Sequence, residues 1–352
     1  MRRNNTGKLI AGSVALILII LAVAGVSRFL DRRESSGQEA GKQEDEERTD
    51  QQWNLSNTIY LDGETYGFDH RIESFLFMGT DASGNETGEG KDYRGTMADF
   101  LLLMVLDYTD DSYGCLQIDR NTITEVAELD KEGNISNLRD LQICVSHWYG
   151  WDPEMSAGNV VNSVKVLLGE LNQIDGYYQI SMEDIDVLNN AVGGVEVTID
   201  DDLTAADPAF TKGSTIRLDD QQAERFVRSR MSLANATNKA RMGRQKQYMS
   251  GLFQSAREKT RQNPGFGMKL WEVMRNAKVS NMNGNDFSRI CQMLLKGQDK
   301  GILTISGKTK VGRVLDDGEE HEEFYADPSS IRDVMTQLYS LVKIEEPGES
   351  EE

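Results

Sequence analysis

The chain has 352 residues and a formal net charge of −20, from 58 acidic and 38 basic side chains. This length allows one large domain or two ordinary ones, with a sizeable core. The negative balance argues against non-specific nucleic-acid binding, which depends on a basic surface. Three cysteines and three scattered histidines are present, so we expect buried thiols rather than a disulfide framework, and no histidine-rich metal centre.

A run without charge extends from Leu9 to Ser27 and is long enough to cross a bilayer. Basic residues precede this run, whereas the arginines behind it are diluted by acids. The positive-inside rule therefore places residues 1–8 in the cytoplasm. We expect a single-pass anchor at 9–28 in the cell membrane, with the bulk of the chain outside. A cleaved signal peptide is the alternative, because Ala22-Val23-Ala24 has the small-residue pattern of a cleavage site.

Two polar segments flank the part of the chain that we interpret as one domain. Residues 29–56 are charged and polar with almost nothing to bury, which is typical of a flexible stalk. Residues 345–352 form an acidic tail. Between these segments, residues 57–344 contain no Pro/Ser-rich linker and no internal repeat, so we predict a single domain there.

Three apolar runs in the first half of this domain predict neighbouring strands. They cover residues 74–78, 100–106 and 115–118. Continuous apolar runs of this kind fit central strands that are covered on both faces. If the three strands form a meander, the end of the first, the start of the second and the end of the third lie at the same edge of the sheet.

Charged residues stand at those three positions. Asp81 follows the first run, Asp99 precedes the second and Arg120 follows the third. We therefore expect these side chains to be neighbours, beneath a glycine-rich loop at 82–98 that carries Arg94. Magnesium prefers one or two carboxylates together with waters and phosphate oxygens, so the edge predicts a magnesium–phosphate site. The alternative is structural, with the two aspartates closing a turn and capping a strand.

The second half of the domain alternates helices with a strand. Apolar spacing predicts helices at 157–171 and 184–191 and a strand at 195–199. A capping box beginning at Asp219 starts another helix, and a further helix begins near Lys239. Strands and helices alternate loosely, so we predict the α/β class: a mixed central β-sheet flanked by helices, behind one N-terminal transmembrane helix.

The segment from Arg225 to Lys246 contains seven basic residues and no acid. Guanidinium groups grip phosphate oxygens through two parallel hydrogen bonds, so this run predicts a site for a phosphorylated or otherwise anionic ligand. Arg228 and Arg230 stand at the exit of one predicted helix, and Arg241 and Arg244 share a face of the next. A solvated basic helix face is the alternative.

Six segments of the chain, in this order, resemble the LytR-CpsA-Psr proteins of Gram-positive bacteria. The match spans roughly residues 72–342, and its most specific parts are a Gly-Gly-Val-Glu-Val turn, an Ala-x-x-x-Val-Arg-x-Arg segment and an Arg-x-x-Arg-Gln end. The segments are FLFMGTDAS (75–83), ADFLLLMVLD (98–107), LQIDRNT (116–122), NAVGGVEV (190–197), LDDQQAERFVRSR (218–230) and RMGRQKQ (241–247).

The resemblance implies a membrane-anchored phosphotransferase on the cell-wall side of the membrane. Such enzymes move a glycopolymer, of the teichoic acid or capsular polysaccharide type, from an undecaprenyl-pyrophosphate carrier onto peptidoglycan. The resemblance also implies a hydrophobic pocket for the polyprenyl chain, magnesium held by Asp81 and Asp99, and Arg120 in the family's Arg-Asp motif as a catalytic residue. The residues implied for pyrophosphate binding are Arg120, Arg228, Arg230, Arg241, Arg244 and Gln245, and Arg94 is a further candidate as a replacement for an arginine of the family pattern.

The chain departs from the family pattern at three places. Met97-Ala98-Asp99 stands where members usually have Arg-Ser-Asp, so an arginine is missing unless Arg94 replaces it. Asp119-Arg120-Asn121 stands where Pro-Arg-Asp is usual, which either removes a carboxylate or shifts it to Asp119. Asn238 occupies a position where an aspartate is often found. Asp99 and Asp119 are therefore the candidate general bases.

Two other functions remain open. A non-catalytic envelope sensor or scaffold would bind polyprenyl phosphates without turnover. A pyrophosphatase would transfer the same phosphoryl group to water instead of to a sugar hydroxyl. The residues identify neither the glycopolymer nor the oligomeric state.

Overall fold

The computed structural model describes residues 57–81, 95–229, 237–276 and 278–344. The predicted anchor, stalk and acidic tail lie outside these ranges, and so do Arg94 and Arg230. Within them, no helix combines the length and the apolar character needed to cross a membrane.

The elements of the described residues alternate irregularly between strands and helices. The strands are β1 (Thr58–Leu61), β2 (Glu64–Gly67), β3 (Ile72–Thr80), β4 (Ala98–Asp107), β5 (Ser112–Ile118), β6 (Ile123–Leu129), β7 (Ile135–Gln142), β8 (Gly176–Ser181), β9 (Glu196–Thr198), β10 (Thr215–Arg217), β11 (Lys278–Ser280), β12 (Gln298–Thr304), β13 (Gly307–Gly312), β14 (His321–Ala326) and β15 (Val342–Lys343). The α-helices are α1 (Pro153–Leu167), α2 (Ile185–Val192), α3 (Asp220–Arg228), α4 (Asn238–Gln262), α5 (Phe266–Met274), α6 (Gly284–Lys296) and α7 (Pro328–Tyr339). Short 3-10 helices cover Ile143–Tyr149 and Met182–Asp184.

A six-stranded mixed sheet lies at the centre of these elements, in the order β11-β8-β3-β4-β5-β12. Strands β3, β4 and β5 form the antiparallel meander that the sequence predicts. Strand β8 is added parallel to β3, β12 is added parallel to β5, and β11 closes one edge antiparallel to β8. The predicted α/β class with a mixed central sheet is confirmed, and smaller two- and three-stranded sheets surround it.

Successive residues of β4 point to opposite faces of the sheet and enter two separate cores. Leu102 and Met104 belong to the core beneath α2 to α6, whereas Leu101 and Leu103 belong to the core beneath α1 and α7. All four side chains are at most 1% exposed. Because helices cover both faces, the strand is apolar at every position from Phe100 to Leu106 rather than at alternate ones.

Helix α1 ends earlier than predicted. The apolar spacing predicts a helix to residue 171, but α1 ends at Leu167. Gly169 and Glu170 adopt positive φ angles of 77° and 62°, a backbone region that a right-handed helix does not use. Leu168 and Leu171 are nevertheless buried in the same core as the helix, which explains why the apolar spacing continues past its end.

Side-chain hydrogen bonds cap the N-termini of α3 and α4. The predicted capping box at Asp219 is present at the start of α3. At the start of α4, Thr237 Oγ1 accepts a hydrogen bond from the Ala240 N–H at 3.2 Å. These two starts place Arg228 at the last position of α3 and Arg241 in the first turn of α4.

Helix α4 approaches β9 closely at one point and leaves space at another. A Cβ atom added at Gly251 would lie 2.5 Å from the Glu196 carbonyl oxygen, which is closer than van der Waals contact allows. Gly243 lies roughly 12 Å earlier along the helix. A Cβ atom added at Gly243 would have no neighbouring atom within 4 Å. The space beside α4 therefore opens from Gly251 toward Gly243.

We predict opposite effects from alanine at these two glycines. Gly243→Ala should raise the free energy of unfolding by up to about 1 kcal/mol, because alanine is the better helix former and nothing obstructs it. Gly251→Ala should lower it by about 1–3 kcal/mol, because the new methyl group overlaps the Glu196 carbonyl. Urea unfolding measures both, and a stabilised Gly251→Ala would contradict the close approach of α4 to β9.

Candidate active site

A buried ion pair joins two neighbouring strands at one edge of the central sheet. Asp99 lies at the start of β4, and Arg120 follows the end of β5. Arg120 Nη1 donates to Asp99 Oδ1, and the two side chains are 13% and 10% exposed. Arg120 Nη2 also contacts Cys144 Sγ at 3.4 Å. The planar guanidinium is therefore held from two sides at the sheet edge.

Helix α4 supplies a second arginine to the same carboxylate. Arg241 Nη1 lies 3.8 Å from Asp99 Oδ2, and its side chain is 7% exposed. Arg241 Nη2 donates to Asn238 Oδ1 at 2.9 Å, and Asn238 Nδ2 donates to Asp119 Oδ1 at 2.7 Å. The Asn238 amide thus links Arg241 to Asp119. The Asp119 carboxylate therefore lies directly beside position 238.

Asp81 lies beside Asp99 but is more open to solvent. Burial raises the pKa of Asp81, the neighbouring Asp99 carboxylate raises it further, and Arg228 opposes both effects. Arg228 Nη2 lies 3.1 Å from Asp81 Oδ1, and the Asp81 side chain is 48% exposed. Two neighbouring carboxylates, one of them accessible, fit the hard oxygen ligands that magnesium prefers.

Several hydrogen-bond donors around this cluster are buried without a partner among the described residues. They are Arg120 Nε, Arg244 Nε and Gln245 Nε2. A buried donor that lacks a partner costs about 1–3 kcal/mol, so a ligand that accepts hydrogen bonds would stabilise the site. The beginning of α4 adds positive potential from its backbone N–H groups. These donors therefore favour an anionic ligand.

An apolar cavity adjoins the charged residues on the α4 side of the sheet. Its volume is about 130 Å³. Leu252 of α4 and Ile290 of α6 are among the side chains that form its walls. Phe100, next to Asp99 in the chain, and Gln245, next to Arg244, also line it. The Gln245 side chain therefore faces both the cavity and the polar cluster.

The structure brings most of the sequence-predicted site residues into one neighbourhood. Arg244 and Gln245 lie one turn along α4 from Arg241. Arg244 Nη2 donates to the Ser229 carbonyl oxygen, and Gln245 Oε1 accepts a hydrogen bond from Gln117 Nε2 at 3.3 Å. Arg94 and Arg230 lie outside the described residues. The residues that converge directly on the Asp99 carboxylate and its neighbours are Asp81, Asp119, Arg120, Arg228 and Arg241.

One residue that holds the site together was missed by sequence reasoning. The His147 ring is buried, with Nδ1 2.8 Å from the Thr96 carbonyl oxygen and Nε2 2.9 Å from Gln179 Oε1. Thr96 Oγ1 in turn donates to the Asp81 carbonyl oxygen at 3.3 Å. The ring therefore fixes the segment that precedes Asp99. No motif marks this role, because the partners of the ring are distant in sequence.

Arg225 belongs to the same basic run but has a structural partner. Its Nη1 lies 2.8 Å from Asp207 Oδ2, and the Asp207 side chain is 9% exposed. The acid-free run is thus divided between the packing of α3 and the charged cluster.

The chain is similar to known proteins in sequence and in fold. A family model described as the LytR_cpsA_psr family matches residues 29–337. A curated relative from Bacillus cereus (strain AH820), named polyisoprenyl-teichoic acid–peptidoglycan teichoic acid transferase TagU, is 27% identical over 208 residues. These residues are 59% of this chain and 60% of that protein, so the chain spans about three fifths of the length of the relative that it matches.

Solved structures have a similar fold. B. subtilis TagV matches with a TM-score of 0.58 and 19% identity, over 77% of this chain and 97% of that chain. A structure of TagT bound to LI-WTA matches with a TM-score of 0.55 and 16% identity, over 76% of this chain and 90% of that chain. At these identities the likeness shows the fold alone.

We predict that Asp119→Asn stabilises the protein at neutral pH. Burial raises the pKa of Asp119, despite the hydrogen bonds from the Asn121 N–H and the Asn238 amide, so ionisation costs the folded state more than the unfolded state. An amide oxygen can accept the same two hydrogen bonds without a charge. Below the ordinary pKa of 3.8 the two proteins should be equally stable. The advantage of the variant should grow as the pH rises through the raised pKa and then stay constant.

Urea unfolding of both proteins between about pH 3 and about pH 8 measures this difference. Asp202→Asn is the control, because Asp202 is exposed and the hydrogen bonds from Thr204 lower its pKa, so loss of that charge should give no gain. An Asp119→Asn variant that is less stable than the wild type throughout would show that attraction to the neighbouring arginines outweighs burial.

Proposed function

The chain belongs to the LytR_cpsA_psr family, and from this membership and the geometry of the site we propose that it is a cell-wall glycopolymer–peptidoglycan transferase. Its donor is a glycopolymer of the teichoic acid or capsular polysaccharide type, linked through pyrophosphate to a polyprenyl lipid such as undecaprenol. Its acceptor is peptidoglycan. Residues 9–28 anchor it in the cell membrane, with the catalytic domain on the cell-wall side.

The observation that carries this proposal is the junction between the charged cluster and the apolar cavity. Arg241 and Arg244 offer donors to a pyrophosphate, and Gln245 and Phe100 continue the site into the cavity. A lipid pyrophosphate combines an anionic head with a long apolar tail. The charged cluster would bind the head, and the apolar cavity would bind the tail. A nucleotide or a soluble sugar phosphate would leave the apolar cavity unexplained.

The names of related proteins support the same substrate classes. The Bacillus cereus relative is named as a transferase of teichoic acid from a polyisoprenyl carrier to peptidoglycan. A TagT structure of similar fold is described as bound to LI-WTA. We extend these classes to the present chain because its charged cluster and cavity suit a lipid-linked anionic donor.

In the proposed reaction, a hydroxyl oxygen of the acceptor attacks the phosphorus that carries the glycan. A new P–O bond forms, the bond from that phosphorus to the bridging oxygen breaks, and prenyl monophosphate leaves with the electron pair. The hydroxyl proton passes to a carboxylate of the site. Arg120 and Arg241 stabilise the phosphate oxygens, since Asp99 and Asn238 already hold both guanidinium groups in place and little reorganisation is needed.

Asp81 and Asp99 are the residues that would hold magnesium, the cofactor that we propose. Two carboxylates at a partly open edge suit an ion that keeps several waters and takes phosphate oxygens as further ligands. When bound, magnesium would neutralise negative charge on the pyrophosphate. Arg228 stays at the exposed side of Asp81, where it can bind a phosphate oxygen.

We favour Asp119 over Asp99 as the group that accepts the proton. Asp99 pairs with two arginines and is a proposed magnesium ligand, so both of its oxygens are already occupied. Burial raises the pKa of Asp119, and a general base works best when its pKa lies nearer the working pH. Asp119 also contacts Asn238, which connects it to the arginine pair.

A reconstituted transfer reaction tests the proposal. The full chain is incubated with a prenyl-pyrophosphate-linked glycan, peptidoglycan oligomers and magnesium, and the glycan–peptidoglycan phosphodiester is quantified. We expect product with the wild type and a rate about 100- to 1000-fold lower with Arg241→Gln, because one preorganised donor to the transition state is lost. Arg261→Gln is the matched control, since Arg261 lies near the far end of the same helix and is 62% exposed.

Two outcomes would overturn the transferase assignment. Lipid binding without any product would indicate a sensor or scaffold. Release of lipid monophosphate and glycan phosphate, with no transfer to the oligomers, would indicate a pyrophosphatase. Circular dichroism of Arg241→Gln distinguishes a loss of chemistry from a loss of fold.

A further inference from the structure

We propose that a polar groove beside α4 binds the saccharide chain of the acceptor, a neutral ligand rich in hydroxyl and amide groups. The inference rests on the proposed transferase function and assigns a subsite to its second substrate. We define the α4 groove as the space between α4 and residues 196–203. Its volume is about 760 Å³, within the range of roughly 300–1000 Å³ that is usual for sites of small ligands.

Helix α4 presents one face to the charged cluster and the core and another face to the groove. The buried face includes Arg241, Gln245 and Tyr248. The groove face consists of exposed residues at successive spacings of four, three, four and four, which places them in one row along the helix. These residues are Lys239, Gly243, Lys246, Ser250 and Gln254.

Arg244 joins the groove to the charged cluster. Its side chain lines the groove, and it lies three residues after Arg241 on the same helix. Burial lowers the pKa of the Arg244 guanidinium, and the negative charge of Asp201 on the opposite wall partly offsets this effect. A chain lying in the groove would therefore have one end beside the donors that we assign to the pyrophosphate, which is where an acceptor hydroxyl must arrive.

The charges of the groove favour a neutral chain over a polyanion. Glu196, Asp200 and Asp201 line one wall, and Lys239, Arg244 and Lys246 line the other. The three carboxylates and three cations cancel, so the groove offers a phosphate-rich polymer no net attraction. Sugar hydroxyls and N-acetyl amides, by contrast, can donate to the carboxylates and accept from the ammonium groups. This balance assigns the groove to the acceptor rather than to an anionic donor glycan.

The middle of the groove is kept open by a glycine that packing does not require. Glycine within a helix is destabilising relative to alanine, yet no neighbouring atom lies within 4 Å of the Cβ position of Gly243. Beneath the groove, the core side chains of Phe226 and Leu203 are almost fully buried, so a ligand in the groove contacts mainly its polar walls. A ligand that occupies this space explains why a side chain is absent at position 243.

Groove-blocking variants test the assignment. Gly243→Tyr and Ser250→Tyr each place a ring in the groove, two helical turns apart. Arg261→Tyr is the matched control, because Arg261 is exposed on the same helix and does not line the groove. Calorimetry on the full chain in detergent measures the Kd of a short peptidoglycan glycan oligomer without stem peptides, and separately of geranyl pyrophosphate with magnesium. We expect both groove-blocking variants to raise the oligomer Kd at least about tenfold, and to leave the geranyl pyrophosphate Kd within about twofold. Arg261→Tyr should change neither Kd, and none of the variants should have a lower melting temperature.

Several outcomes would overturn this inference. One is wild-type protein that does not bind the oligomer, and another is oligomer binding that survives both groove-blocking variants. If the variants weaken a lipid-pyrophosphate-linked glycan but not the oligomer, the donor glycan occupies the groove and the acceptor assignment is wrong. Wild-type protein that binds the oligomer but not geranyl pyrophosphate would instead contradict the proposed function while the groove assignment stands.

Discussion

The buried contact between Asp99 and two arginines is the constraint on which the site depends. Its members come from β4, from the turn after β5 and from α4, and their side chains are 7–13% exposed. Charges in such a position are stable only when they are paired, and loss of one partner costs about 3–5 kcal/mol. Asp99 therefore fixes α4 against the edge of the sheet. The same contact holds Arg120 and Arg241 in place before any substrate arrives.

Helix α4 uses this fixed position to separate three environments. Its first turns carry the donors of the charged cluster, its next turns line the apolar cavity, and an exposed row of residues borders the polar groove. Gln245 is the residue at which the first two environments meet, and Arg244 connects the first with the third. An anionic head, an apolar tail and a neutral saccharide chain can thus be arranged around one helix without any of them entering an unfavourable environment.

Much of this arrangement could be predicted from sequence because its signals are local. The apolar runs of β3, β4 and β5 indicate central strands, and a meander then places Asp81, Asp99 and Arg120 at one edge. The remaining contacts depend on tertiary packing. The bond from Asn238 to Asp119 joins positions 119 residues apart, and the His147 ring connects two segments that only the folded sheet brings together. The end of α1 was predicted wrongly because buried leucines continue beyond the helix.

The most direct test of the account is whether the charged cluster and the apolar cavity bind one molecule. Calorimetry on the full chain in detergent gives the ratio of the Kd of inorganic pyrophosphate to that of geranyl pyrophosphate, both with magnesium. Each buried CH₂ contributes about 0.8 kcal/mol, so the ratio should exceed about ten. Ala256→Phe places a large side chain in the cavity. This variant should bring the ratio close to one without changing the Kd of inorganic pyrophosphate. Ala205→Phe is the control at an exposed position and should leave the ratio unchanged. A wild-type ratio near one, or a ratio insensitive to Ala256→Phe, would contradict the account.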